Sequence, residues 1–346
     1  MLPLAWLYGG VVAARRAAYA RGWWQASLLP VPVIVVGNLV VGGAGKTPAV
    51  LAIVRLLLEH GRVPGIVSRG HGRRGADHEG PRRVGLHDAA HDVGDEPLLL
   101  SRRSGVPVVV GKDRVAAAHA LLQGDARIDT IVADDGLQHL ALARDIEVVV
   151  FDERGAGNGR LLPAGPLREP MPADARPAGA SPARLVLYNA IAPTTPLEGY
   201  VSTRRAAGLL SLDSWWHGAP PDSNGFAALR GRPIVAACGI GRPERFFALL
   251  REQGLDVRPL PLADHFDFAA LPWPSGTTDV VVTEKDATKL VPGRAMGARV
   301  WVAALDFRPE APFQAELLER LAALRAPDDS VLTTRPLSTL PLPLER

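Results

Sequence analysis

Cysteine is almost missing from this chain: Cys238 is the only one in 346 residues. A lone thiol makes no internal disulfide and no thiolate metal cluster, and its use fits a reducing cytosol. Aromatic residues amount to 5% and do not interleave with the arginines, which argues against a base-stacking nucleic-acid surface. Long apolar runs are also lacking. The longest at the N-terminus, residues 1–14, stops at Arg15-Arg16, short of the roughly 20 residues a spanning helix needs. Positive charge follows that run instead of preceding it, so it does not read as a secretory signal, and the chain is expected to stay on the cytoplasmic side.

What is present is ordinary globular composition, 47% apolar and 22% charged, over a length that favours two α/β domains. The net charge is +3 and the pI about 9.3, carried by arginine far more than lysine. Arginine suits bidentate recognition of phosphate, so an anionic substrate or surface is expected.

From residue 31 to about 152, short β-rich apolar runs alternate with helical patterns: strands over 33–36, 66–67, 106–110, 130–133 and 146–151, helices over 46–59, 97–102 and 114–122. That alternation predicts a parallel sheet with helices on both faces, and the glycine-rich loop over 37–47 makes it P-loop NTPase-like. A second, smaller α/β domain follows, with strands near 185–188, 234–237, 279–282 and 300–303 and helices over 243–253 and 312–324. The expected division is an N-terminal helix in 1–28, a first α/β core over 29–154, a Pro/Gly-rich linker with a structured loop over 155–184, the second domain over 185–325 and a disordered tail over 326–346. In the N-terminal helix Leu4, Leu7, Tyr8 and Val11 recur at helical spacing, and Arg15, Arg16 and Arg21 gather beside Trp23 and Trp24. This suits either a membrane-interface helix or one docked on the core, and Gly9-Gly10 weakens the helical pattern.

The strongest local signal runs from Gly37-Asn38 through Val40, Val41, Gly42, Gly43, Ala44, Gly45, Lys46 and Thr47, between a strand and a helix. Glycines let backbone N–H groups curl around phosphates; Lys46 reaches the β- and γ-phosphates and the Thr47 hydroxyl ligates Mg²⁺. Val40 stands where the first glycine of the usual spacing belongs. Asp134-Asp135 closes the apolar strand 130–133, where a P-loop enzyme keeps its second metal-holding carboxylate, and the sequence does not say which of the two serves. Thr283-Glu284-Lys285-Asp286 is close to a guanine-reading pattern, but Lys285 stands one place late, so ATP is preferred to GTP. His139 and Cys238 read as structural.

These motifs, with Ser68-Arg69-Gly70-His71-Gly72-Arg73, Gly94-Asp95-Glu96-Pro97, Lys112-Asp113-Arg114, Gly136-Leu137-Gln138-His139, Gly165 to Pro170, Gly239-Ile240-Gly241-Arg242-Pro243 and Asp264-His265-Phe266, occur in an order that resembles the tetraacyldisaccharide 4'-kinase family over about residues 3–325. His71 and Leu137 depart from it, where tyrosine and phenylalanine are usual. The resemblance implies ATP- and Mg²⁺-dependent phosphorylation of the 4'-hydroxyl of the acylated glucosamine disaccharide 1-phosphate, a lipid A precursor. It also implies a monotopic enzyme on the cytoplasmic face of the bacterial inner membrane. A hydroxyl needs a proton acceptor as it attacks, and Asp95 before a helix is the candidate. The resemblance pairs it with His265 from the second domain. Arg168 and Arg114 are candidates to offset charge on the transferred phosphoryl group. Arg69, Arg73 and Arg74 either hold the substrate's own phosphate or face solvent. The rival reading is a membrane-positioning switch ATPase of the MinD/ParA type, whose signature lysine would replace Val41.

Overall fold

The computed structural model describes residues 1–73, 80–172, 182–293 and 297–324. Arg74 and the tail expected at 326–346 lie outside the described residues. The first half comprises α1 (Leu2–Ala20), β1 (Val33–Gly37), α2 (Lys46–Glu59), β2 (Pro64–Ser68), β3 (Arg82–Arg83), α3 (Ala90–Val93), α4 (Asp95–Ser104), β4 (Val108–Val110), α5 (Arg114–Gly124), β5 (Thr130–Asp134) and β6 (Ile146–Asp152). The second comprises β7 (Ala183–Asn189), β8 (Tyr200–Ser211), α6 (Leu212–Trp216), β9 (Pro233–Cys238), α7 (Pro243–Glu252), β10 (Asp256–Pro261), β11 (Asp279–Thr283), α8 (Glu284–Ala287), β12 (Arg299–Pro309) and α9 (Ala311–Ala323).

Among the described residues the strands join into one sheet of twelve, in the order β10-β9-β11-β12-β8-β7-β6-β1-β5-β2-β4-β3. β7 adds to β6 in parallel, with Val148 opposite Leu185 and Phe151 opposite Tyr188. β8 then starts parallel to β7 and runs antiparallel along β12, so one long strand carries the sheet from one half into the other. The pattern 200–211 was not readable as a strand because Arg204-Arg205 and Gly208 interrupt its apolar alternation. β10 was hidden by Pro259 and Pro261, which are tolerated because it is an edge strand.

The pleat sorts side chains onto two faces. From β1, Ile34 and Val36 join Leu57, Leu98, Leu100 and Phe313 on the face covered by α2, α4 and α9. Val33 and Val35 join Ala117, Leu121 and Leu137 on the face covered by α5. The last helix α9, although it follows the second half in sequence, thus packs on the first. Parallel strands buried on both faces are why those segments read as unbroken apolar runs.

α1 continues through Gly9-Gly10, and the reason is a close approach: a Cβ at Gly9 would stand 2.9 Å from Leu161 Cδ1. Its small and polar side faces the protein, with Ala5 and Ala18 buried, while Leu4, Leu7 and Val11 face outward. Truncating Phe313, fully buried between α9 and the sheet, is expected to cost about 3–5 kcal/mol in equilibrium denaturation; a loss below 1 kcal/mol would show that α9 does not belong to this core.

Candidate active site

β1 ends at Gly37, whose missing side chain leaves room for Leu137: a Cβ there would lie 2.7 Å from Leu137 Cγ. The loop that follows is held by Asn38, itself fully buried. Its amide donates to the carbonyls of Val40 and Gly42, and its Oδ1 accepts from Lys46 Nζ at 3.2 Å. Gly42 and Gly45 adopt left-handed backbone (φ 90° and 94°) that other residues take only under strain, and Gly45 leads directly into α2. From outside, Arg154 donates to the carbonyls of Val41 and Gly43 (3.2 and 3.3 Å), and Asn189 donates to that of Ala44 at 3.1 Å. With these carbonyls occupied by side chains, the backbone of residues 41–47 lines the cleft in the glycine-rich turn between strand and helix from which phosphate-binding loops are built.

Val40 is placed differently from the rest of the predicted loop. It is buried in the core, bridging to Leu167 of the structured loop after β6, whereas Val41 through Thr47 line the cleft. A glycine at position 40 would forfeit that packing. The same neighbouring loop is tied to the phosphate loop by Val41 N to Pro166 O (2.9 Å) and Arg168 N to Leu39 O (2.7 Å). α1 supports it from behind: Tyr8 OH donates to Arg168 O at 2.8 Å and Arg16 pairs with Glu169 at 2.8 Å.

The two aspartates after β5 have different surroundings. Asp135, with left-handed backbone (φ 49°), pairs with Lys46 at 3.4 Å and Arg168 at 3.0 Å. Burial raises its carboxyl, but those two cations outweigh it and hold the group below the usual carboxylate range. Asp134 is buried, accepts from Ser68 Oγ at 2.9 Å through Oδ2 and has no partner for Oδ1. Burial, then Glu96 and Asp135, push its carboxyl upward. A buried carboxylate oxygen without a hydrogen-bond partner is costly unless a cation or another donor compensates it.

Arg114 sits at the start of α5, buried, donating to Gly111 O at 2.7 Å while its backbone N–H reaches His139 Nε2 at 3.3 Å. Burial lowers its guanidinium to about 10, against the opposing pull of Asp134 and Asp135. It stands behind the aspartates and does not line the cleft. His139, with burial lowering its imidazole to about 4, accepts that backbone hydrogen bond as a neutral ring.

Across the cleft, Gly94 (φ 97°) turns the chain into α4, so Asp95 occupies the first helical position, where the helix dipole favours negative charge. Asp95 is buried; its Oδ2 meets His265 Nδ1 at 2.9 Å and its Oδ1 accepts from Glu96 N at 3.0 Å. His265 comes from the other half, with left-handed backbone (φ 60°). Lys285 Nζ lies 3.4 Å from His265 Nε2, 3.8 Å from Asp95, 3.6 Å from Glu96 and 3.5 Å from Asp264. The cleft encloses about 900 Å³ and is lined by Lys46, Asp95, Asp134, Asp135, Arg168 and His265 together. Arg69 lines it as well. Arg73 is buried and donates to Val110 O and Gly80 O, outside the lining. Arg154 and Asn189 went unrecognised in the sequence, and Asn38 and Tyr8 were read only as members of the loop and of the N-terminal helix, since each acts on a backbone carbonyl. Lys285 was noticed only within the Thr283-Glu284-Lys285-Asp286 motif, and its contacts become visible only once α8 is packed beside α4.

Three comparisons bear on this geometry. The family model described as tetraacyldisaccharide-1-P 4'-kinase matches residues 1–322. A tetraacyldisaccharide 4'-kinase of Methylibium petroleiphilum is 55% identical over 326 residues, covering 93% of this chain and 89% of the relative. That of Leptothrix cholodnii is 55% identical over 332 residues, covering 94% and 92%. The crystal structure of the Aquifex aeolicus LpxK in complex with ATP superposes with a TM-score of 0.75 at 28% identity, covering 93% of this chain and 97% of that one. Nothing in these matches favours the switch-ATPase alternative. With the phosphate loop, the two aspartates and the Asp95–His265 pair facing one cleft, this chain belongs to the tetraacyldisaccharide 4'-kinase family.

Proposed function

We propose that this cleft transfers the γ-phosphate of ATP to the 4'-hydroxyl of the tetraacylated glucosamine disaccharide 1-phosphate, with Asp95 as proton acceptor. The single observation that carries the residue roles is that the phosphate loop and the Asp95–His265 pair line the same cavity. The loop's N–H groups and Lys46 take the phosphate chain of ATP. Asp95 accepts the proton of the sugar hydroxyl as its oxygen bonds to the γ-phosphorus and the bond to the β–γ bridging oxygen breaks, releasing ADP. His265 holds Asp95 in orientation. Arg168, already facing the cleft beside Asp135, offsets charge on the transferred oxygens. Arg114 acts from behind, through the field at Asp134 and Asp135.

The residues present fit Mg²⁺. The unpartnered Oδ1 of Asp134 and the Thr47 hydroxyl in the cleft are hard oxygen donors, and few protein ligands are needed because Mg²⁺ keeps waters and substrate phosphate oxygens around it. Between the two aspartates, Asp134 is the better ligand, because Asp135 already has Lys46 and Arg168 as counter-charges. When bound, Mg²⁺ neutralises charge on the β- and γ-phosphates.

We further propose that α1 lies in the cytoplasmic headgroup layer of the inner membrane. No helix among the described residues is long and apolar enough to cross a membrane. Trp6 and Trp23 are 74% and 72% exposed, Leu7 and Val11 are exposed beside them, and Arg21 stacks over Trp23. Rings and arginines placed so suit a wet apolar boundary. Because Tyr8 and Arg16 of the same helix prop the Arg168 loop, membrane docking and phosphate positioning share one element.

Asp95→Ala is expected to bind ATP as the parent does while kcat falls about 10²–10⁴-fold, read with γ-labelled ATP and detergent-dispersed disaccharide lipid. Unaltered turnover would remove Asp95 from the role. Lys46→Ala is expected to weaken ATP binding and slow transfer together, measured by calorimetry and the same assay; retained affinity would separate Lys46 from the phosphates. Trp6→Ser with Trp23→Ser removes two side chains worth about 1.5–3 kcal/mol each when buried and should lower partitioning onto anionic vesicles at least about tenfold, whereas unchanged partitioning would leave α1 outside the membrane.

A further inference from the structure

The Asp95–His265 pair has a third member. The Nζ of Lys285, in α8, stands 3.4 Å from His265 Nε2, the ring nitrogen turned away from Asp95. The other charged or titratable groups facing this imidazole are Asp264 on its own loop, with Oδ1 3.9 Å from Nε2, and His71 after β2, with ring centroids 5.8 Å apart. Lys289, just beyond α8, stands 4.0 Å from Asp95 and 3.3 Å from Asp286. Asp264 is too distant from Nε2 to hydrogen-bond it.

An ammonium has three N–H donors and no lone pair, so it can face a ring nitrogen only if that nitrogen is an acceptor. An ionised carboxylate is the reverse: it has only lone pairs and requires a donor. The two neighbours of His265 therefore make the same demand from opposite sides. Nε2 must be bare toward Lys285, and Nδ1 must carry the proton that is donated to Asp95. Lys285 is itself kept charged. Burial alone would lower its ammonium, but Asp95, Glu96 and Asp264 outweigh that and hold it above the ordinary lysine range.

We propose that Lys285 is a positioning residue that fixes His265 as the neutral tautomer protonated on Nδ1, so that Asp95 receives an uncharged donor on one oxygen and keeps its strength as a base. A proton on Nε2 would point at the ammonium. It would also turn His265 into a cation hydrogen-bonded to Asp95, stabilising the carboxylate and weakening it as a proton acceptor. The functional consequence rests on the reading of Asp95 as the base; the tautomer itself does not.

The bland alternative is that Lys285 is only a staple between α8 and α4, holding Asp95 and Glu96 by charge. Nitrogen-15 spectra of the histidine-labelled full-length chain separate the two, with the His265 signals assigned by their loss in His265→Gln. In the parent protein at mildly alkaline pH, His265 should show a protonated Nδ1 and a bare Nε2. In Lys285→Met, Asp95 still holds the proton on Nδ1, and Nε2 should become protonated as well, giving an imidazolium under conditions where the parent ring is neutral. Its kcat should fall about ten- to a hundredfold, within the roughly 10²–10⁴-fold that a positioned proton acceptor contributes, with KM for ATP unchanged. Lys285→Arg, which still donates to Nε2, should restore the parental tautomer. A protonated Nε2 in the parent protein, which needs no variant to observe, would overturn the proposal. So would a Lys285→Met protein whose Nε2 stays bare as in the parent, since a staple would lose rate without changing the proton count of the ring. Both spectral results are read without turnover, so an Asp95→Ala enzyme of full activity would defeat the base assignment and leave them standing.

Discussion

A phosphate cradle demands that a stretch of backbone turn its N–H groups toward one point while its carbonyls turn elsewhere, and the rest of this structure follows from satisfying those carbonyls. Water cannot reach all of them, and an unpaired buried carbonyl is costly. Here Asn38 takes two from within the loop, Arg154 takes two from outside and Asn189 takes one from the end of β7. Two separate segments, after β6 and at the end of β7, thus converge on the loop. Asn38 also positions Lys46, so the same buried amide sets both the shape of the cradle and the direction of its charge.

Charge is arranged by a similar economy. Lys46 and Arg168 are two cations lining the same cleft, and Asp135 keeps them together by serving as counter-charge to both. Asp134, one residue earlier, has no hydrogen-bond partner for Oδ1 among the described residues and is destabilised as an anion by burial, which the charge of Lys46 offsets only in part. Adjacent residues of the same type therefore stand in opposite electrostatic conditions because strand β5 ends between them: Asp134 is its last, buried residue, whereas Asp135 follows on left-handed backbone.

The halves of the chain are joined by the continuous sheet and by the contacts around the cleft. Arg55 of α2 reaches Asp306 of β12 at 3.1 Å, and Arg242 at the start of α7 reaches Glu153 at 3.0 Å. Arg103 of α4 binds Glu284, which also accepts from Trp215 Nε1 and Leu305 N. The helix that carries Asp95 is therefore braced by the half that supplies His265 and Lys285. That is a physical reason for the Thr283-Glu284-Lys285-Asp286 segment to be so polar at the end of a buried strand: Thr283 caps α8, Glu284 braces α4, Lys285 reaches the Asp95 pair and Asp286 anchors Gly239 N at 3.1 Å.

Sequence alone determined the parts whose signal is local. Apolar runs such as 33–36, 130–133 and 146–151 had to be buried strands, and glycines before Lys46-Thr47 had to form a tight turn into a helix, because period, backbone freedom and helix start are properties of neighbouring residues. The ordered motifs were specific enough to carry the family as well. What tertiary structure decided depends on distant residues. β8 is a strand because β12 supplies its hydrogen bonds, against its own composition; Val40 is not a glycine because Leu167 packs on it; Gly9 sits inside a helix because Leu161 needs the space. Likewise, Lys285 had no legible role until folding brought it within reach of a histidine twenty residues away and an aspartate from the other half of the chain. Hydrogen bonds and packing act over a few ångströms, and the sequence does not encode which remote segments will share those ångströms in any pattern that can be read along the chain.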